Sequence, residues 1–159
     1  MAKNFLFQVS TVGLGLLAAL LISETVFRLV GPEPSIVPII YDKDVGALNQ
    51  PGYSGIYSKE GTSHFSINSE GWRDIERTAK KPNGVYRVAI VGNSYIEALQ
   101  VERESMITSK LESILNSTNS SHHYEVIPFG MSGADAAVAL QVIRHKVIKY
   151  NPDLVVYGF

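Results

Sequence analysis

The sequence predicts an α/β fold: a three-layer arrangement around a parallel sheet, preceded by an N-terminal transmembrane helix. Three observations carry this. Residues 88–91, 124–129 and 153–157 are short apolar runs rich in β-branched or aromatic residues, each leading to a glycine (Gly92, Gly130, Gly158). Such runs suit strands buried on both faces. Between them the apolar residues recur at helical spacing, and strand–helix–strand–helix–strand order implies parallel pairing through right-handed crossovers. Ahead of all this, no charged residue stands between Lys3 and Glu24.

That first stretch, residues 4–23, rises about 30 Å as a helix, enough to cross a bilayer core. A cleaved signal peptide and a buried core helix are the competing readings. Ala18 and Ala19 are small, but Leu20, Leu21 and Ile22 follow and leave no good cleavage site. Residues 1–30 are therefore expected to be a retained signal anchor. The amino terminus and Lys3 are cationic, whereas Glu24, Arg28 and Glu33 sum to negative. The positive-inside rule then places the N-terminus in the cytoplasm and the bulk of a single-pass protein outside.

Residues 31–40 contain three prolines and read as a stiff linker. Residues 41–84 form a β-rich, irregular segment, with turns at 49–52 and Gly61 and the best strand at 63–67. Trp72 is expected to pack rather than to serve as a substrate platform. Residues 85–159 hold the α/β part. Its first strand stops at Gly92, and Ser94 sits just past the carboxyl end, either as a nucleophile or as a helix N-cap. Met106, Ile107, Leu111, Ile114 and Leu115 mark a helix over 104–116, with Lys110 and Glu112 off the apolar face. Residues 117–123 are a polar loop. The spacing from Ser132 to Asp135 fits a capping box for a helix whose apolar face is Ala137, Leu140, Ile143, Val147 and Ile148. Asn151-Pro152 ends that helix.

Composition narrows the functions. Lys and Arg number 14 against 15 Asp and Glu, so no basic field exists to hold nucleic acid. There is no cysteine, which rules out disulfides and thiolate metal sites. The four histidines, His64, His122, His123 and His145, lack metal-ligand spacing, and no glycine-rich phosphate loop follows any strand. No cofactor or metal is expected.

If the strand order is 2-1-3, as in flavodoxin-like folds, the first strand is central and the switch point lies beside Ser94. Gly130 ends the neighbouring strand, either to free its N–H for a substrate oxygen or simply to form a turn. Gly92-Asn93-Ser94, followed by Glu97-Ala98-Leu99-Gln100-Val101, resembles the first block of the SGNH (GDSL-type) hydrolases, usually Gly-Asp-Ser. The stretch from Asn68 to Arg73 looks like the segment that precedes it in membrane-anchored members, and the resemblance runs over residues 68–159. It implies an SGNH-type fold with Ser94 as nucleophile. Ser94 and Gly130 would supply oxyanion donors through their N–H groups. Asn93 departs from the usual aspartate, which in that family positions the turn.

The implied activity is serine ester hydrolysis outside the cytoplasm, on an acylated polysaccharide or a lipid. The same site would also serve an O-acyltransferase on extracytoplasmic polysaccharide, and a non-catalytic membrane-tethered binding module is the rival of another class. The third-block asparagine and the Asp-x-x-His block of the family do not occur up to Phe159. The chain is accordingly expected to be the N-terminal part of such a hydrolase, inactive alone, with an incomplete sheet. Its third strand, apolar and without lysine or proline, is expected to be an edge that invites intermolecular pairing.

Overall fold

In the computed structural model, which describes residues 2–30, 37–118 and 122–158, the chain divides into two units, Met1–Pro34 and Ser35–Phe159. The first is the helix α1 (Ala2–Val30). Its Phe7–Val30 portion is long and apolar enough to cross a membrane, spanning about 36 Å at 1.5 Å per residue. Several of its polar side chains are satisfied within the helix. Thr11, Ser23 and Thr25 donate to the carbonyls of Phe7, Leu20 and Leu21 at 2.7–2.9 Å, and Arg28 pairs with Glu24 one turn back at 2.7 Å. Hydroxyls bonded in this way add little cost to an apolar surrounding.

Two antiparallel hairpins open the second unit. The first joins β1 (Ile39–Asp42) to β2 (Gly46–Asn49), and the second joins β3 (Ser54–Tyr57) to β4 (Ser63–Ser66). Of the expected linker, residues 31–36 lie outside the described residues, while Ile39 and Ile40 already pair with Asn49 and Leu48. There follow β5 (Val85–Gly92), the one-turn helix α2 (Ser94–Glu97), α3 (Ile107–Thr118), β6 (His123–Gly130), α4 (Ala136–Val142) and β7 (Leu154–Gly158). The three long-range strands form a parallel sheet in the order β6-β5-β7, the 2-1-3 order expected from the sequence.

Alternation along β5 distributes the core. Ala89 and Val91 face Ile127, Phe129, Val142, Val147 and Tyr150 on one side, with Trp72 set edge-on to Phe129 at 5.1 Å. Val88 and Ile90 face Val126, Ile96, Leu111 and Leu115 on the other. The sheet thus has α4 and its extension over one face and α3 over the other. Trp72 is a packing residue, as expected. At the lower end of β5, Arg87 is wholly buried. It pairs with Glu125 at 2.6 Å and donates to the Tyr150 carbonyl at 2.6 Å.

Both helices differ from their expected faces. The turn at Arg103–Ser105 is 3₁₀, and α3 starts only at Ile107. Ile107 and Ile114 are exposed, while Thr108 and Leu111 turn inward and Glu112 follows them. The reason lies in the exposed edge of β6. Glu112 accepts the Val126 N–H at 2.6 Å and pairs with Arg77 at 2.9 Å. Asn116 accepts the Tyr124 N–H and donates to the Tyr124 carbonyl, at 2.8 and 2.9 Å. Polar residues of α3 therefore act as a partner strand for β6, and the apolar period alone does not reveal that.

In α4 the N-cap is Asp135, which accepts the Val138 N–H at 2.9 Å, and not Ser132. Ser132 is drawn instead to Glu97. After Val142 the chain makes one π turn (Ile143–Val147) and one 3₁₀ turn (Ile148–Tyr150) before Asn151, at φ 48°, ends it. With the start displaced and a wide turn inserted, Ala139, Val142, Val147 and Tyr150 are buried, while Leu140 and Ile148 are exposed.

Candidate active site

Three glycines lie in register at the carboxyl end of the sheet: Gly130, Gly92 and Gly158. Helix α2 sits directly on this row. A Cβ on Gly130 would come within 2.1 Å of the Glu97 nitrogen, and one on Gly92 within 2.5 Å of Ile96 Cγ1. Neither residue has positive φ. Gly130 is glycine because the α2 backbone lies where its Cβ would stand, and Gly92 because the Ile96 side chain and the Gly158 carbonyl do.

Asn93 turns the chain out of β5. Its side-chain oxygen accepts the Tyr95 N–H at 3.1 Å, and its carbonyl accepts from Ile96 and Glu97 at 3.0 and 3.1 Å. Asn93 is thus the N-cap, and the cap reading of Ser94 is set aside. Ser94 is half-buried, and neither its hydroxyl nor its N–H has a partner among the described residues. The helix ends at Ala98, held in the left-handed region at φ 53°.

That strained end is capped by Arg73. The buried guanidinium donates to the carbonyls of Ala98 and Val101, and at 3.3 Å to those of Glu97 and His64. Burial pulls its pKa down, while Glu102, Glu97 and Glu104 oppose that shift. The preceding loop delivers it. Asn68 accepts the N–H groups of Glu70 and Trp72 at 3.1 and 2.9 Å, folding the stretch so that Trp72 enters the core and Arg73 reaches α2.

Ser94 opens onto a cavity of about 360 Å³, within the range of small-ligand sites. One wall is the sheet end, with Ser94, Glu97, Leu99, Ser132 and Gly133. The other comes from the hairpins, with Ile39, Asn49, Tyr57, Lys59 and Glu60. Burial, with the carboxylates of Glu60 and Glu97 nearby, pushes the Tyr57 phenol above its ordinary value. Gln100 bridges the walls through a 2.9 Å bond to Glu60.

Gly130 lies beneath α2 rather than in the cavity lining; Ser132 and Gly133 carry the chain from it to the wall. In the parallel ladder Met131 N–H bonds the Gly92 carbonyl at 3.1 Å, so the alternate N–H groups of β6 point to its free edge. Those of Tyr124 and Val126 are taken by Asn116 and Glu112, Pro128 has none, and that of Gly130 has no partner among the described residues.

None of the four histidines lines the cavity. His64 contacts Glu102 at 3.2 Å, His145 stands 3.9 Å from Asp44, and His122 and His123 lie at the start of β6. Sequence reasoning singled out Ser94, which lines the cavity, and Gly130, which does not, and passed over Glu97, Arg73 and Asn49. Arg73 and Glu97 do fall inside the stretches that carry the resemblance, and a charged residue within such a block is the signal that could have marked them. No family model matches the chain, and no curated protein matches it. The likeness to SGNH hydrolases therefore rests on the residues quoted above.

Proposed function

We propose that the protein is a membrane-anchored SGNH-type serine ester hydrolase, with Ser94 as nucleophile and its N–H as an oxyanion donor; Gly130, the second donor the resemblance implies, lies beneath α2, outside the cavity lining. The observation that carries this is Ser94 itself. It stands at the carboxyl end of the central strand, its hydroxyl and N–H unpartnered among the described residues, on a cavity of about 360 Å³. Its Oγ would attack an ester carbonyl carbon, the alcohol would leave with a proton, and water would release the acid from the acyl-enzyme. One oxyanion donor is worth roughly 3–4 kcal/mol in such a step. An O-acyltransferase differs only in its acceptor, a sugar hydroxyl in place of water, and product analysis with a carbohydrate acceptor separates the two.

Labelling with a fluorophosphonate tests the assignment. With a catalytic histidine supplied beside Ser94, covalent modification at Ser94, lost in Ser94→Ala together with turnover of an activated ester, is the expected result. The lack of a histidine among the described cavity residues favours a second reading, a tethered module that binds its ligand without turning it over. Ser94 left unlabelled even with a histidine supplied, in a folded protein that binds a carbohydrate or acyl ligand, would favour that one.

The anchor reading is that α1 crosses the membrane with the N-terminus in the cytoplasm, supported by its apolar length and by the cationic amino terminus and Lys3 against Glu24, Arg28 and Glu33, which sum to negative. A reporter active only in the cytoplasm, fused after Arg73, is expected to be silent; strong signal would reverse the topology.

A further inference from the structure

Three distant chain segments converge on one buried carboxylate. Glu97 closes α2 three residues after Ser94 and is 2% exposed. Asn49 Nδ2 donates to its Oε1 at 2.7 Å. The Ser132 N–H donates to its Oε2 at 2.9 Å, and the Ser132 hydroxyl donates to the same oxygen. The Arg73 guanidinium meets the Glu97 backbone carbonyl rather than the carboxylate. An ionised carboxylate is acceptor-only, with about four lone-pair sites, so it can hold donors from several directions at once. Bonds of this charge-assisted kind are stronger than neutral ones.

We propose that Glu97 is a positioning residue, a carboxylate clamp that locks the β6–α4 turn and the β1–β2 hairpin onto the Ser94 elbow. Asn49 belongs to one wall of the cavity and Ser132 to the other, and Gly130 lies two residues before Ser132. Removing the carboxylate leaves the Asn49 amide and the Ser132 N–H without an acceptor, and the turn after Gly130 loses its register with Ser94. The catalytic consequence rests on the Ser94 reading; the clamp itself does not.

The test uses the full chain in detergent micelles and two readouts: amide hydrogen exchange over residues 131–134, and the rate of fluorophosphonate labelling at Ser94. In Glu97→Ala, exchange over 131–134 should rise about tenfold or more while the amides of β5 and β6 keep their protection. Labelling should slow about 10²-fold, the scale expected when a reacting group is misplaced by about an ångström. The double variant Glu97→Gln/Asn49→Asp moves the charge across the same contact. The new amide at position 97 then donates to the new carboxylate at position 49 and still accepts from Ser132, so both readouts should return. Unchanged exchange in Glu97→Ala overturns the clamp. Restored exchange without restored labelling keeps the clamp and overturns its catalytic consequence, because Glu97 would then act on the reaction through its charge. If the native chain does not react with the probe, exchange alone decides the clamp. Should Glu97→Ala unprotect β5 and β6 as well, Ser132→Ala replaces it. That variant removes one bond, and faster exchange confined to 131–134 supports the clamp while none refutes it.

Discussion

Asn93 shows how much a single side chain settles at the turn out of β5. It accepts the Tyr95 N–H through an oxygen that aspartate also possesses, so the departure from the resembled Gly-Asp-Ser leaves the cap intact. Asn93→Asp is expected to keep the denaturation midpoint, whereas Asn93→Ala should cost about 1 kcal/mol, the usual loss of an N-cap. Equal stability of the three proteins in urea titrations would show that the cap contributes nothing. At this scale the sequence was readable where chain geometry is local. Gly92, Ser94 and Gly130 could be placed because each follows directly from the end of a strand. Glu97 and Arg73 could not, because what buries them is remote. The partner of Glu97 is Asn49, 48 residues away, and Arg73 reaches carbonyls 24 to 28 residues ahead.

Among the elements, β7 is tied to β5 through Asp153, which stands just before it. Its carboxylate accepts Lys81 Nζ at 2.6 Å and the Arg87 N–H at 2.7 Å, and its own N–H donates to the Arg87 carbonyl at 2.8 Å. Lys81 first, then the Arg87 N–H, hold its pKa below the usual aspartate value. In the acid range the unfolded chain therefore binds more protons at this position than the folded one. The stabilisation is complete above about pH 4 and fades as pH falls through the lower folded value. Asp153→Asn should lower the thermal midpoint at neutral pH, and the difference from the native protein should shrink on acidification. A difference independent of pH would remove Asp153 as its source. Strand identity and order were legible because β-branched runs ending in glycine have few other interpretations. Helix faces were not. Glu112 and Asn116 turn toward the sheet to satisfy the backbone of β6, and Asp135 caps α4 because Glu97 engages Ser132. Such polar demands from a neighbouring element leave no trace in apolar periodicity.

Over the whole molecule, the two borders of the sheet are unlike. Along β6 the outward N–H groups of Tyr124 and Val126 are occupied by α3, and Pro128 offers none. Along β7 the outer side has no strand partner among the described residues, and Leu154, Val155, Val156 and Tyr157 are 38–46% exposed. An apolar open edge is a template for pairing, and among the described residues β7 is the one open border, so the described sheet can pair only once. Two copies joined β7 to β7 around a twofold axis would share a continuous six-stranded sheet, and both of its outer borders would be the blocked β6. Association is then self-limiting: a closed, isologous pair rather than a polymer that extends head to tail. Sedimentation of the chain in detergent micelles should show a monomer–dimer equilibrium that Val155→Lys displaces to monomer. Species growing without limit as concentration rises would mean that β6 is a second open border after all. Self-association of the described sheet would thus be set less by the strand that invites a partner than by Asn116, Glu112 and Pro128 on the far side, which refuse one.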